Sequence, residues 1–150
     1  MDIRKALPHD AADIAAAEAL IFNDPWDERS VTDLISTEGG MCYVAVKDGR
    51  VIAYLVGRVI PPEGEIYRIA TLPEHRGRGV AYRLLDYACK CERGRGLEVL
   101  FLEVRTQNAP ARALYRAYGF KEVGVRKNYY KDPPDDAVIM LKAHRDDLIN

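Results

Sequence analysis

The stretch with the clearest chemical potential is a turn rich in glycine and arginine, RGRGVA, at residues 76–81. It stands between an apolar run and a helical pattern, which predicts a strand, a turn and a helix in that order. Such a turn offers unpaired backbone amides at the positive end of a helix, and glycine lets a ligand approach them closely. We therefore predict a site for an anionic group here, with Arg76 and Arg78 adding positive charge.

Two common phosphate-binding motifs do not fit this turn. A dinucleotide-binding fingerprint requires a third glycine at the position where Tyr82 stands. A P-loop requires Gly-Lys-Ser/Thr at the start of the helix, but Gly79 is followed by Val80 and Ala81. On these residues alone, a purely structural turn rich in Gly and Arg remains an alternative.

Two further side chains could transfer protons. Glu103 ends the run VLFLE within residues 99–104, a nearly continuous apolar stretch that predicts a strand covered on both faces. An unpaired carboxylate in such a strand costs several kcal/mol, so Glu103 is either a base in a cleft or a solvated strand end paired with Arg105. A tyrosine can donate a proton, but the helical spacing of Tyr115 from Ala111 and Tyr118 favours a place in the buried stripe of a helix.

The elements that must position these residues follow from periodicity and turn signals. Strands are predicted at residues 3–6, 42–46, 51–60, 65–72, 99–104, 120–126 and 137–142. Helices are predicted to include residues 14–21, 31–35, 80–88 and 111–118. The order β-α-α-β-β-β-α-β-α-β-β predicts an α/β (α+β) fold whose mixed sheet carries helices on both faces. Parallel pairing is favoured where a helix joins two strands.

The composition predicts a single packed domain spanning residues 1–150. Hydrophobic residues make up 48% and charged residues 30%, which argues against disorder, fibres and membrane spans. A net charge of -1 gives no basic field, so we expect no direct nucleic acid binding and no membrane partner. Three cysteines and three scattered histidines form no metal motif. With no signal peptide or anchor pattern, we expect a cytoplasmic protein without a metal.

The segment LEVRTQNAPARALYRAYGF, at residues 102–120, carries many more spaced positions than the turn. It resembles the Leu-Glu-Val-x-x-x-Asn-x-x-Ala-x-x-Leu-Tyr-x-x-x-Gly-Phe block of the GCN5-related N-acetyltransferase (GNAT) superfamily. The turn at residues 76–81 resembles the Arg/Gln-x-x-Gly-x-Gly/Ala loop of the same superfamily. The chain is therefore identified as a member of this superfamily.

Within the superfamily, the chain most resembles the bacterial ribosomal-protein-alanine N-acetyltransferases, the RimI group. Three segments carry this resemblance: FNDPW at residues 22–26, RKNYY at residues 126–130 and DDAVIM at residues 135–140. The segment KDPPDD, at residues 131–136, is predicted as a polar turn between the last two strands. It is shorter than the corresponding loop of the group.

The resemblance implies a single-domain GNAT fold with a mostly antiparallel sheet, and acetyl-CoA as cosubstrate. It implies direct transfer in a ternary complex, with Glu103 as general base, acting directly or through water, and Tyr115 as general acid. Asn108 is implied to contact the cosubstrate, and it also fits as the N-cap of a helix. The implied cofactor-binding residues are Ile69, Ala70, Thr71, Arg76, Gly77, Arg78, Gly79, Val80, Ala81, Tyr82 and Asn108.

On the acceptor side, the resemblance implies that Trp26, Tyr129 and Tyr130 flank a peptide cleft, although each also fits ordinary aromatic packing. The implied acceptor is a protein N-terminus, in particular the N-terminal alanine of a small-subunit ribosomal protein. Two alternatives stay open. One is transfer to a small-molecule amine or a protein lysine, and the other is a non-catalytic acyl-CoA-binding regulatory module.

Overall fold

The computed structural model describes residues 1–144, and these form one seven-stranded sheet with four α-helices. The strands are β1 Asp2–Lys5, β2 Gly40–Lys47, β3 Arg50–Ile60, β4 Glu63–Thr71, β5 Val99–Arg105, β6 Lys121–Lys131 and β7 Pro134–Ala143. The helices are α1 Ala11–Ile21, α2 Glu28–Ser36, α3 Val80–Arg93 and α4 Ala109–Tyr118. The predicted order of strands and helices is confirmed. The predicted single domain also includes residues 145–150, which lie outside the described part.

The strands lie in the order β1-β2-β3-β4-β5-β7-β6. Every neighbouring pair is antiparallel except β4 and β5, which are parallel and are joined by α3. The prediction of parallel pairing across a helix is confirmed there. It is wrong for β1 and β2, because the two helices between them return the chain antiparallel. It is also wrong for β5 and β6, because β7 lies between them.

Each face of the sheet has its own hydrophobic core, as the strand alternation requires. On β2, Met41 and Tyr43 belong to the core beneath α3 and α4, whereas Cys42 and Val44 belong to the core beneath α1 and α2. The prediction of helices on both faces is confirmed. The pair α1 and α2 covers only the β1-to-β4 part of its face, as the core residues of that side come from β2, β3 and β4.

Two local predictions need correction. The strand β5 is not covered on both faces: Leu100, Leu102 and Val104 are buried, but the alternate residues, Glu103 among them, are half-buried. The polar turn KDPPDD is also shorter than predicted, because β6 continues to Lys131 and β7 already begins at Pro134. Antiparallel pairing of these two long strands overrides the turn propensity of the flanking aspartates.

The described residues also bear on membranes and metals. None of the helices in residues 1–144 combines the length and the apolar character that a membrane crossing needs. Within the same residues, no group of three or more His, Cys, Asp or Glu side chains is placed to hold a metal ion.

Candidate active site

The strands β4 and β5 separate partway along their length. Their pairing runs from Glu63, opposite Val99, to Ile66, opposite Leu102, although β4 continues to Thr71. At the same place the register between β3 and β4 shifts, and the pairing skips Tyr67. This bulge bends β4 away from β5 and leaves its last residues without a strand partner on that edge.

A cavity of about 370 Å³ lies where the two strands separate. The predicted site residues that line it are Trp26, Ile69, Glu103, Asn108, Tyr115, Tyr129 and Tyr130. Further lining residues that the sequence did not indicate include Phe22, Asp24, Glu65, Tyr67, Arg68 and Arg105. The cavity thus combines side chains from the loop after α1, from β4 and β5, from α4 and from β6.

Glu103 presents a carboxylate to this cavity from β5. Its side chain is 14% exposed, and Oε2 is buried without a hydrogen-bond partner among the described residues. The nearest cation is Arg126, whose Nε lies 3.6 Å from that oxygen, too far for a good hydrogen bond. Glu103 thus lines the cavity as a carboxylate whose Oε2 is buried, makes no hydrogen bond to the described residues and lies within ion-pair distance of Arg126.

The alternative in which Glu103 pairs with Arg105 is wrong. The Arg105 guanidinium donates hydrogen bonds to the carbonyl oxygens of Pro133, at 2.6 Å, and Asp132, at 3.2 Å. It also lies 4.2 Å from the centroid of the Tyr130 ring. These contacts hold the Arg105 guanidinium against the turn between β6 and β7 and against the ring of Tyr130 in β6.

Glu65 is a second carboxylate in the cavity. It faces Phe101 in the parallel register, and Phe101 shares a strand face with Glu103. Burial, together with the nearby Glu103 charge, raises the pKa of Glu65. Glu65 and Glu103 lie on the same face of the sheet, and strand alternation is the sequence signal that could have indicated this. Using that signal requires the β4–β5 register, which periodicity does not give.

Tyr115 packs in the core, as its helical spacing predicted, and its side chain also lines the cavity. Its ring meets Phe120 edge-on with 5.6 Å between centroids, and its hydroxyl forms no hydrogen bond with the described residues. Burial raises the pKa of the Tyr115 phenol, which keeps it protonated and able to donate.

Asn108 has the N-cap role that its position predicted. Its side chain accepts a hydrogen bond from the Ala111 amide at 3.2 Å, which fixes the first turn of α4. Gly119, with a φ of 110°, ends the same helix in the left-handed conformation. The two caps set the length of α4 and thereby the position of Tyr115 at the cavity.

The three predicted acceptor-side aromatic residues all line the cavity. Trp26 lies beside Tyr67, with 5.9 Å between ring centroids, and Tyr129 meets Tyr130 edge-on at 5.0 Å. Burial, followed by the charge of Glu103, raises the pKa of Tyr130 to about 12. Tyr130 is therefore a neutral hydrogen-bonding group at physiological pH.

The loop carrying Trp26 is fastened to a buried carboxylate, Glu18 of α1, which is 1% exposed. Glu18 accepts hydrogen bonds from the Trp26 amide at 3.0 Å, from Arg68 at 2.8 Å and from the Tyr54 hydroxyl. Arg68 also pairs with the exposed Asp24 at 2.8 Å. This network ties the loop after α1 to β3 and β4.

Replacing Glu18 with Gln should lower the free energy of unfolding by about 3 kcal/mol, because it leaves a buried cation partly unpaired. Chemical denaturation measures this effect. Asp24→Asn is the matched control for stability, because it removes only the exposed arm of the network and should cost less than about 1 kcal/mol. Equal losses in both variants would contradict the anchoring role.

The glycine turn lies beyond the cavity lining, at the start of α3. Gly77 and Gly79 have φ values of 76° and 75°, and a Cβ at either would meet nothing within 4 Å. Backbone conformation therefore demands glycine here, and the space around both residues is open. The first helical bond is donated by the Arg83 amide to the Gly79 carbonyl, so the amides of residues 77–82 point outward without backbone partners in the described chain.

Arg76 and the strand before it connect the turn to the cavity. The Arg76 Nε donates to the Thr71 carbonyl at 3.0 Å, which holds the guanidinium against the end of β4. Ile69 lines the cavity, whereas Ala70 and Thr71 do not and instead continue the free edge of β4 toward the turn. An elongated ligand with an anionic group on the turn could thus extend along this edge to Glu103.

The comparisons with known proteins agree with this geometry. Residues 11–120 match the model of the Acetyltransferase (GNAT) family, and the chain belongs to that family. It is an N-acetyltransferase.

Similar proteins and structures within the family carry more specific names. N-alpha-acetyltransferase RimI of Mycobacterium tuberculosis is 35% identical over 143 residues, which cover 91% of this chain and 89% of that protein. The [ribosomal protein bS18]-alanine N-acetyltransferase of Escherichia coli is 33% identical over 120 residues, 77% of this chain and 79% of that protein. The crystal structure of the Escherichia coli ribosomal-protein-S18-alanine N-acetyltransferase superimposes with a TM-score of 0.86 at 29% identity, over 95% of this chain and 92% of that one.

Proposed function

We propose that this chain, acting as a single N-acetyltransferase domain in the cytoplasm, transfers the acetyl group of acetyl-CoA to the N-terminal α-amine of a protein. The proposed acceptor is the N-terminal alanine of the small-subunit ribosomal protein bS18, the substrate named for its Escherichia coli relative. The observation that carries the proposal is the cavity between β4 and β5, where a carboxylate without a hydrogen-bond partner and a neutral phenol line the same space.

The donor would occupy the free edge of β4 and the glycine turn. Acetyl-CoA supplies an acetyl thioester together with a pyrophosphate, and outward amides at residues 77–82 suit that anion. Arg76 and Arg78 add positive charge beside the turn. Ile69, Ala70 and Thr71 would pair with the extended arm of the donor through their backbone, and amides of this strand would stabilise the oxyanion. Asn108 lines the same cavity and would contact the donor.

Glu103 would remove the proton that makes the acceptor unreactive. An α-ammonium has a reference pKa of about 8, so at neutral pH most of the acceptor is protonated and only the neutral amine can attack a thioester. The Glu103 carboxylate, which lines the cavity, would take that proton directly or through a water molecule. The amine would then attack the acetyl carbon in a ternary complex, without an acyl-enzyme.

Tyr115 would give a proton to the departing thiolate of CoA. Burial raises the pKa of the phenol, which by itself makes the transfer less favourable. A low-polarity site would also disfavour the charged thiolate, whose reference pKa is about 8.5, and so would offset part of this cost. The raised pKa also ensures that Tyr115 carries its proton when the thiolate forms.

Trp26, Tyr129 and Tyr130 would flank the first residues of the acceptor. All three rings line the cavity, where they can pack against an extended chain. An N-terminal alanine is the acceptor named for the relative.

The decisive experiment offers acetyl-CoA to the full chain with three kinds of acceptor: peptides that begin with a free alanine, N-terminally blocked peptides that contain lysine, and small amines. Mass spectrometry with fragmentation locates the added acetyl group. We expect the label on the α-amine of the alanine peptides. Labelling of lysine or small amines alone would replace the proposed acceptor, and no release of CoA with any amine would point to a non-catalytic acyl-CoA-binding module.

A further inference from the structure

A second hollow, of about 420 Å³, lies beside the cavity on the same face of the sheet. Glu65 and Tyr67 line both spaces, so the two are adjacent. The strand register explains this arrangement. Phe101, which lines the second hollow, lies opposite Glu65 and two residues before Glu103 on one face of β5.

The second hollow is mainly apolar and open to solvent. Ile60 is 63% exposed and Tyr67 is 39% exposed, and Phe101 is half-buried beside them. The turn Pro61–Pro62 adds further apolar surface, and Arg58 lies at the same hollow. A cluster of exposed apolar side chains next to a cavity is typical of a binding surface.

The size and position of the hollow identify what it can hold. A stable complex between two folded proteins buries about 800 Å² on each partner, more than a hollow lined by nine residues provides. Because the hollow adjoins the cavity at Glu65 and Tyr67, an extended chain with its N-terminus in the cavity can pass over these two residues into the hollow.

This inference rests on the proposed function. We propose that the second hollow binds the acceptor chain itself and takes an apolar or aromatic side chain from its third, fourth or fifth residue. The lengths fit. At about 3.3 Å per residue, Phe101 lies about 7 Å from Glu103 along β5. Ile60 is level with Val99 through Glu63, which places it about 13 Å from Glu103 along the same direction. An extended acceptor with its amine at Glu103 spans these distances with its third and fifth residues.

The test uses the full chain, acetyl-CoA and a set of heptapeptides that begin Ala-Ser. One peptide has serine at positions three to seven, and three others carry a single phenylalanine at position three, four or five. We expect at least one phenylalanine peptide to have a kcat/KM about tenfold above that of the all-serine peptide, mostly through KM, because it buries an aromatic ring. The dipeptide amide Ala-Ser, which cannot reach the hollow, serves as the reference acceptor.

Ile60→Ser and Phe101→Ala should each remove most of the phenylalanine preference while leaving kcat/KM for the dipeptide amide within about twofold of the original. Leu20→Ser is the matched control, because Leu20 is 67% exposed on α1 and lines neither space. The dipeptide rate shows whether a variant has folded.

Two results would overturn the inference: equal kcat/KM for all heptapeptides, or a preference that survives in both hollow variants. Both leave the proposed function standing, since the α-amine is still acetylated. If no α-amine is acetylated in any peptide, the proposed function itself fails, and the binding of the acceptor chain in the second hollow fails with it.

Discussion

Replacing Glu103 with Gln is expected to lower kcat/KM for an alanine peptide by about 100-fold to 1000-fold at pH 7, the usual contribution of a general base. The amide keeps the size and shape of the side chain but cannot take a proton from the α-ammonium. The loss should shrink as the pH rises above about 8, because the acceptor then loses its proton to solvent before it binds. The KM for acetyl-CoA should change little. Steady-state kinetics across pH 6 to 9.5 measure all three effects.

The control for this experiment is Glu38→Gln, which removes an exposed carboxylate of the loop before β2 and should leave the pH profile unchanged. Glu103 would lose its role as the base if the Gln variant kept the full rate at pH 7. A uniform loss at every pH would instead mean that the carboxylate positions the acceptor and does not remove its proton. Glu65 would then be the next candidate for the base, because Asp24, the other carboxylate of the cavity, is paired with Arg68.

Replacing Tyr115 with Phe is expected to lower kcat by about 100-fold, with the KM for acetyl-CoA within about threefold of the original. The ring keeps its contact with Phe120, and the lost hydroxyl has no hydrogen bond to the described residues, so stability should hardly change. The departing thiolate would then lack its proton donor. Donors with a more acidic thiol leaving group should recover much of the lost rate, because they need no such help.

Tyr118→Phe is the matched control on the same helix. The Tyr118 hydroxyl donates to Asp86 at 3.0 Å, away from the cavity, so its removal should cost about 1 kcal/mol of stability and leave kcat unchanged. Equal effects of the two substitutions on kcat would show that a tyrosine hydroxyl on α4 acts through packing. Normal kcat in Tyr115→Phe would exclude it as the acid.

The sequence was sufficient to predict features that depend on residues close together in the chain. The helix α4 is an example, because Asn108 at one end and Gly119 at the other are caps that act locally. The glycine turn is another, because the left-handed φ values of Gly77 and Gly79 are a property of those residues. The prediction that Glu103 and Tyr115 serve one site depended on the resemblance to a family, and both line the same cavity.

Features that depend on the pairing of distant strands could not be read from the sequence. The shift of register at Tyr67 and the end of pairing at Ile66 follow from how β3 and β5 meet β4, and no periodicity records either. The cavity position of Glu65 follows from that register. The cation nearest to Glu103 could not be predicted for the same reason: Arg105 is its neighbour in sequence, whereas Arg126 comes from β6, two strands away in the sheet.

The separation of β4 and β5 also has a thermodynamic consequence. A sheet normally satisfies its backbone groups internally, and those that it leaves unpaired must be met by solvent or by a ligand. The last residues of β4 have no strand partner on the side of β5, so backbone groups in the middle of the sheet remain available to hydrogen-bond a ligand. Hydrogen exchange should therefore be slow throughout β2 and β3 at all times, and should slow along this edge only when donor is present. In the unliganded protein, the end of β4 is thus an unpaired strand edge inside the sheet.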